Sequence, residues 1–206
     1  MKAPGYNDSV FINCPFDDEY KPILWAIIYT VYRCGFYPMT ALDEDDGTDY
    51  RLDKIVRMIK ACRYGIHDLS RIEVNVNGYP RFNMPFELGI FFGAKRLGDV
   101  EHRTKNALVL ENVKYSAQQM ISDLNGIDPR SHNNDPYAAM QKVREWLRTS
   151  SKRRTIPVYQ TLRQQHNEFL QSLPALAEKV GCVPNELPYS DLVNIIEDVV
   201  GRQLKT

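Results

Sequence analysis

Short apolar runs alternate with longer segments of helical periodicity along most of this chain. Apolar and β-branched runs predict strands at residues 9–13, 36–42, 64–68 and 107–110. Apolar residues at helical spacing predict helices over residues 19–33, 51–62, 85–97, 115–124 and 136–148. Strand–helix alternation at this spacing favours an α/β fold of the flavodoxin type, with an open parallel sheet and helices on both faces.

The last quarter of the chain departs from this alternation. A basic segment at residues 150–155 marks the predicted boundary between an α/β domain over residues 1–150 and a C-terminal part over 151–206. Two amphipathic stretches, 158–173 and 190–204, predict a helical extension joined by a proline-containing link. Packing over the sheet and presenting these faces to a partner are equally compatible with the pattern.

Composition narrows the classes of partner. The 26 basic and 26 acidic residues cancel, which argues against direct binding of an extended nucleic acid but not of a nucleotide-sized molecule. No apolar run approaches the length of a membrane span, so we expect no membrane association. The 4 cysteines form no C-x-x-C pair, and no signal peptide is recognisable, so we expect a cytoplasmic protein.

Two acidic residues, Asp68 and Glu87, delimit the segment of the chain that is most informative about function. Asp68 ends the third predicted strand, and ligands of open α/β sheets bind at the carboxyl ends of strands. Glu87 follows in the first turn of a helix predicted from Pro85, among almost exclusively apolar neighbours. Asp68 also fits a simple Asx turn, and Glu87 a favourable charge at a helix start. A carboxylate in apolar surroundings has either a buried partner or a chemical role, so we take both as candidate catalytic residues.

The loop after the first strand supplies candidate substrate contacts. Asn13 and Asp17 could bind hydroxyl groups, and the Phe16 ring could stack on a base, although Asp17 would equally serve as the N-cap of the first helix. The chain has no G-x-G-x-x-G and no G-K-[ST] sequence. A phosphate cradle of the Rossmann or P-loop type is therefore not expected.

Three further residues lie near the two acids in sequence. Ser70 follows Asp68 by two positions, and Arg81 and Asn83 precede Glu87. Arg81 could hold a phosphate and Asn83 could bind an amide or hydroxyl, or they could be a solvated arginine and a helix cap. The histidines His67, His102, His132 and His166 show no mutual metal spacing, so no metal site is predicted, and no serine lies in a nucleophile-elbow pattern.

At these residues the chain resembles the nucleoside 2-deoxyribosyltransferase family and the related bacterial Toll/interleukin-1 receptor (TIR)-like domains. The similarity consists of a strand ending in Asp-Leu-Ser, a loop, and a helix containing an apolar-Glu-Leu-Gly sequence. The opening Val-Phe-Ile-Asn run at residues 10–13, followed by Asp17, is similar to the start of TIR domains. The resemblance covers about residues 9–148; the long approach to Glu87 at residues 83–86 and the C-terminal extension depart from it.

The resemblance implies specific roles. In the transferases the glutamate attacks the sugar C1′ and the strand-end aspartate assists, whereas in TIR-type enzymes a glutamate on the equivalent helix supports cleavage of the nicotinamide–ribose bond of NAD. It thus implies catalytic roles for Glu87 and Asp68, NAD as substrate, and no cofactor. Residues 43–49 would correspond to the TIR loop that mediates self-association. Proteins of this type act in bacterial antiphage defence, which implies a homo-oligomer or a partner defence protein.

The leading hypothesis is therefore an NAD glycohydrolase or cyclase. Breaking an N-glycosidic bond develops positive charge on the ribose, which a fixed carboxylate stabilises. Nicotinamide leaves readily without acid assistance, whereas a nucleoside 2-deoxyribosyltransferase or hydrolase must protonate a neutral base, a task that only Asp68 could perform. The third alternative is a non-catalytic module that senses a nucleotide or oligomerises, in which residues 43–49 matter and Glu87 does not.

Overall fold

The computed structural model describes residues 4–72, 81–183 and 186–203. The strands are β1 (Ser9–Asn13), β2 (Tyr37–Thr40), β3 (Tyr64–Asp68), β4 (Asn106–Glu111) and β5 (Arg130–Ser131). The helices are α1 (Lys21–Arg33), α2 (Arg51–Ala61), α3 (Asn83–Leu97), α4 (Ser116–Met120), α5 (Pro136–Ser151), α6 (Tyr159–Lys179) and α7 (Tyr189–Gln203). Parts of two predicted segments, residues 73–80 of the polar loop before α3 and the last residue of the final helix, lie outside the described residues.

The five strands form one parallel sheet in the order β2-β1-β3-β4-β5. This confirms the predicted α/β fold of the flavodoxin type. The strand order reverses between β1 and β3, and crevices for ligands open at such a switch point, outside the carboxyl ends of the strands.

Helices cover both faces of the sheet, and alternation along each strand decides which face a side chain meets. Val10, Ile12, Tyr64 and Ile66 pack with α1 and α5 in the larger core cluster. Phe11 points to the opposite face, where it packs with α2 and with Phe91 of α3. Neighbouring residues of one strand therefore belong to different environments.

The C-terminal helices join the larger core. Apolar side chains of α6 and α7, including Phe169 and Ile196, belong to the same buried cluster as α1 and α5. Packing over the sheet is observed: α6 and α7 pack against α1, and the Thr40 hydroxyl of β2 donates a hydrogen bond of 2.9 Å to the Tyr189 hydroxyl of α7. None of the described helices combines the length and apolar character needed to cross a membrane.

Several elements differ from the sequence-based predictions, among them the predicted helix 115–124, of which only Ser116–Met120 is α-helical. The helix containing Glu87 begins at Asn83, so that Glu87 lies in its second turn. The sixth helix continues through Pro174, because burial of Leu173 and Ala177 on either side offsets the hydrogen bond that proline cannot donate. The short edge strand β5, missed in a polar stretch, consists of only Arg130 and Ser131.

Candidate active site

A cavity of about 280 Å³ opens at the carboxyl end of β1, beside the switch point of the sheet. Its walls come from three parts of the chain: the segment after β1, the first residue of α2, and the approach to and first turns of α3. The lining residues are Asn13, Cys14, Pro15, Phe16, Arg51, Arg81, Asn83, Met84 and Glu87.

Glu87 is the carboxylate of this cavity among the described residues. Met84 and Leu88 on the same helix are buried, and the side chain of Glu87 is itself only 8% exposed. Its Oε1 lies 3.3 Å from Nη2 of Arg51, whose own side chain is 58% exposed. Burial raises the pKa of Glu87, and the neighbouring Arg51 only partly opposes that rise. The protein therefore offsets only part of the free-energy cost of burying the ionised carboxylate of Glu87.

Asn13 fixes the position of the helix that carries Glu87. Its Nδ2 donates one hydrogen bond of 2.8 Å to the carbonyl of Met84 and another of 3.1 Å to Nδ1 of His67. With both amide hydrogens used, Oδ1 is the polar atom of Asn13 that remains for a ligand. Because Nδ1 accepts, the proton of neutral His67 lies on Nε2.

His67 stands behind Asn13 and takes no part in lining the cavity. Its ring packs edge-on against Phe91 of α3 at 5.0 Å and against Phe11 of β1. Burial lowers the pKa of His67 to about 3, so the ring is neutral at physiological pH. Gly65, two residues earlier on β3, leaves room for this ring, since a Cβ there would lie 2.8 Å from Nε2 of His67.

The predicted cationic contact, Arg81, lines the cavity and is held in place by Asp17. Nη1 of Arg81 lies 3.2 Å from Oδ2 of Asp17, whose Oδ1 accepts a hydrogen bond from the backbone of Tyr20. Asp17 therefore serves the turn before α1 and positions Arg81, while Phe16 and Asn83 reach the cavity directly. Asn83 is the first residue of α3, and the residue at the cap position is Phe82.

Asp68 lies on the other face of the sheet in a closed hydrogen-bond network. Its Oδ2 accepts from the Tyr20 hydroxyl at 2.5 Å and from Nε2 of His132 at 3.0 Å. Its Oδ1 accepts from the backbone of Ser70 at 2.9 Å and from the Ser70 hydroxyl. Burial would raise the pKa of Asp68, but the bonds from His132, Ser70 and Tyr20 outweigh it and lower that pKa.

The fold does not bring the two candidate catalytic acids together around the cavity. Asp68 does not face Glu87 across a crevice: it is fully buried, and neither it nor Ser70 lines the cavity. The physical reason is strand alternation, since His67 points toward α3 and its neighbour Asp68 must point toward α1. The cavity therefore combines Glu87 with Asn13, Phe16, Arg81 and Asn83 of the predicted set, and Asp17 supports it from behind.

The structure also adds residues that sequence reasoning missed. Arg51 and Cys14 line the cavity, while His132 and Tyr20 bind Asp68. Burial raises the pKa of the Cys14 thiol well above its usual value, so this sulfur is no thiolate nucleophile at neutral pH. Local sequence patterns do not predict that Arg51 contacts Glu87 or that His132 contacts Asp68, because the partners are distant in sequence.

Comparisons with known proteins assign neither a family nor a function to this chain. No protein-family model, curated protein or solved structure matches the chain.

Proposed function

We propose that the chain cleaves the N-glycosidic bond of a nicotinamide dinucleotide, as an NAD glycohydrolase or cyclase, with Glu87 as the catalytic carboxylate. The observation that carries this proposal is a buried glutamate whose ionised form is poorly compensated, in a cavity at the switch point. A group of this kind gains most from a positive charge that develops beside it.

The reaction needs little beyond this carboxylate. The bond between C1′ of the ribose and the nicotinamide nitrogen breaks, and its electron pair neutralises the departing pyridinium ring. Glu87 stabilises the cationic ribose or captures C1′ covalently, as carboxylates do in glycoside hydrolysis. Water then attacks C1′ and loses a proton, giving ADP-ribose, or a nucleophile within the same molecule closes a ring.

Other residues of the cavity suit the rest of this substrate. Arg51 and Arg81 are half-exposed cations at the cavity, suited to the pyrophosphate. The Phe16 ring and the amides of Asn13 and Asn83 offer stacking and polar contacts to nicotinamide and ribose. A volume of about 280 Å³ suits the nicotinamide riboside half of the dinucleotide, which places the adenosine half outside.

The position of Asp68 weighs against the transferase alternative. A nucleoside 2-deoxyribosyltransferase or hydrolase acting on a neutral base needs an acid within reach of that base. Asp68 was the candidate for this role, yet its oxygens are occupied by Tyr20, Ser70 and His132 on the opposite face. A cationic leaving group, which requires no such acid, fits the described cavity better.

The proposal extends to self-association. Phe82 and Phe86 are 60% and 59% exposed, and Leu97 lies at the end of the same helix with 88% exposure. Gly89 and Gly93 between them would permit close approach of a second helix, since nothing lies within 4 Å of a Cβ built at either. We therefore propose a homo-oligomer through α3, which a Phe86→Asp variant should dissociate in sedimentation experiments.

We also propose a compartment and a biological role. All four cysteines are free thiols, three of them buried, which supports action in the reducing cytoplasm. The sequence resemblance supports a role in bacterial antiphage defence, in which NAD is depleted or converted into a signal.

The deciding experiment compares the wild-type chain with Glu87→Gln at low and high protein concentration. Each is incubated with NAD and separately with nucleosides, and the products are separated by mass. We expect the wild type to release nicotinamide and Glu87→Gln to release it at least about 100-fold more slowly. The exposed Glu178 on α6 supplies a matched control, Glu178→Gln, which should retain full activity.

Each contrary result identifies an alternative. Base release or exchange from nucleosides with NAD left intact would establish the transferase reading. If neither substrate changes at any concentration, the enzymatic proposal fails and the nucleotide-sensing or oligomerising module takes its place.

A further inference from the structure

A second cavity lies between the N-terminal part of α1, the start of α5, and α6. Its volume is about 370 Å³, within the range of small-molecule sites. The walls are Pro22 and Trp25 of α1, Pro136 and Tyr137 of α5, and His166 and Leu170 of α6. It shares no lining residue with the cavity of Glu87.

His166 is the unusual member of this lining. The residue is only 2% exposed, and neither Nδ1 nor Nε2 has a hydrogen-bond partner in the described part of the chain. Its ring lies among aromatic rings, with Tyr29 edge-on at 5.0 Å and Tyr137 at 6.1 Å. Buried polar atoms are almost always hydrogen-bonded, so two unpaired nitrogens beside a cavity call for a partner there.

The protonation state of His166 defines what that partner offers. Burial lowers the pKa of His166 to about 4, so the imidazole is neutral at physiological pH. A neutral ring carries a donor on one nitrogen and an acceptor on the other. A ligand therefore needs a polar edge, but no charge, to satisfy it.

The rest of the cavity selects for a flat and uncharged molecule. Asp18 and Lys21 at its rim pair with each other at 2.6 Å and so cancel. The Tyr137 ring is fixed by a 2.6 Å bond from its hydroxyl to Asn167, and the Arg163 guanidinium lies over that ring. Trp25 and Tyr137 thus provide aromatic surface on which planar rings pack well.

We propose that this cavity binds a neutral, planar heteroaromatic molecule of purine size, packed against Trp25 and Tyr137 and hydrogen-bonded to His166. The site is separate from the cleavage reaction proposed above. Such a ligand explains why a histidine, and not a leucine or phenylalanine, lies among the aromatic side chains of Tyr29, Tyr137 and Phe169.

Adenine, which is neutral and has donors and acceptors on its edge, is the probe. The chain has 4 histidines and 2 tryptophans, so ¹⁵N spectra of the imidazole rings and tryptophan fluorescence resolve the site. We expect adenine to shift the ring nitrogens of His166 and to quench Trp25, because Trp146 is buried in the core. His166→Phe, which keeps a ring of similar size without polar atoms, should weaken adenine binding at least 10-fold.

Two further variants keep the test decisive. His102→Phe makes the same exchange at a distant histidine and should bind adenine like the wild type. Leu170→Phe narrows the cavity without touching His166 and should also abolish binding, which covers the case in which His166→Phe does not fold. The proposal is overturned if millimolar adenine leaves the His166 resonances unchanged, or if both cavity variants bind adenine with wild-type affinity.

Discussion

Asp68 and Glu87 are two buried carboxylates at the carboxyl edge of one sheet, yet their surroundings differ in kind. Asp68 accepts hydrogen bonds from Tyr20, Ser70 and His132, and they lower its pKa despite complete burial. Among the described residues Glu87 pairs with Arg51 alone, and burial raises its pKa. The fold itself satisfies the first carboxylate, which therefore holds elements together. The second lines an open cavity, and Arg51 opposes only part of the rise in its pKa.

The same difference extends to the two sides of the sheet edge. On the side of α1, a closed network joins β3 to α1 and to the segment before α5. On the side of α3, the residues are arranged around open space, with Asn13 tying β1 to the start of α3 and His67 supporting Asn13 from behind. Rigid support beside an accessible polar group is what a preorganised site requires.

The largest expected effect comes from exchanging each acid for its amide. Asp68→Asn should lower the free energy of unfolding by about 3 kcal/mol, because an amide nitrogen then faces donors inside a closed network. Glu87→Gln should leave that free energy within about 0.5 kcal/mol, because it removes a poorly compensated buried charge. Urea denaturation measures both, and equal losses in the two variants would contradict the contrast drawn here.

Gly65 tests the packing behind the cavity. In Gly65→Ala the new methyl group would lie 2.8 Å from His67 Nε2 and from Cε2 of Phe91, so one of these rings must move. We expect a loss of about 2 kcal/mol in stability, typical of an overpacked core, together with reduced NAD cleavage. Gly201→Ala in α7 is the control: no atom lies within 4 Å of its Cβ, and it should be neutral or stabilising. A fully stable and active Gly65→Ala would show that His67 does not support the site.

The burial of His67 makes the stability of the folded protein depend on pH. The unfolded chain takes up a proton near the ordinary histidine pKa of about 6.5, whereas the folded ring does so only at about pH 3. The unfolded state thus holds more protons between these values, and stability falls as the pH drops below 6.5. His67→Gln should remove about 1 kcal/mol of that loss per pH unit. Urea titrations at pH 7 and pH 5 measure it, and parallel losses in wild type and variant would refute it.

Arg51 gives the smallest expected effect. Because the ionised form of Glu87 is the one proposed to act, cleavage should rise with pH through a pKa above the usual glutamate value. Arg51→Gln removes the charge that opposes this rise and should move the acidic limb of the pH–rate profile upward by about half a pH unit, since Arg51 is largely solvated. Lys54→Gln, one turn along α2, changes the same charge away from Glu87 and should leave the limb in place. A downward shift in Arg51→Gln would exclude Glu87 as the titrating group.

Much of this architecture could be predicted from local patterns. Strands β1 and β3 match the predicted residues 9–13 and 64–68, and the parallel sheet covered on both faces is confirmed. The charge of Glu87 among apolar neighbours predicts a functional position, and in the structure Glu87 lines a cavity. An apolar neighbour need not be buried, however, since Phe86 beside Glu87 is largely exposed. Helical periodicity predicts that one face of a helix is buried, but it does not decide which residues of a mostly apolar helix lie on that face.

The sequence by itself determined strands β1 to β4, most of the helices, the fold class and the segment that carries Glu87, because each depends on residues close together in the chain. Only the tertiary structure decided that Asp68 and Glu87 belong to opposite faces of the sheet. That separation depends on strand order, which local patterns do not contain, and on alternation, which sends His67 and Asp68 in opposite directions. The contacts of Arg51 with Glu87 and of His132 with Asp68 join residues 36 and 64 positions apart, and only the folded chain brings them together.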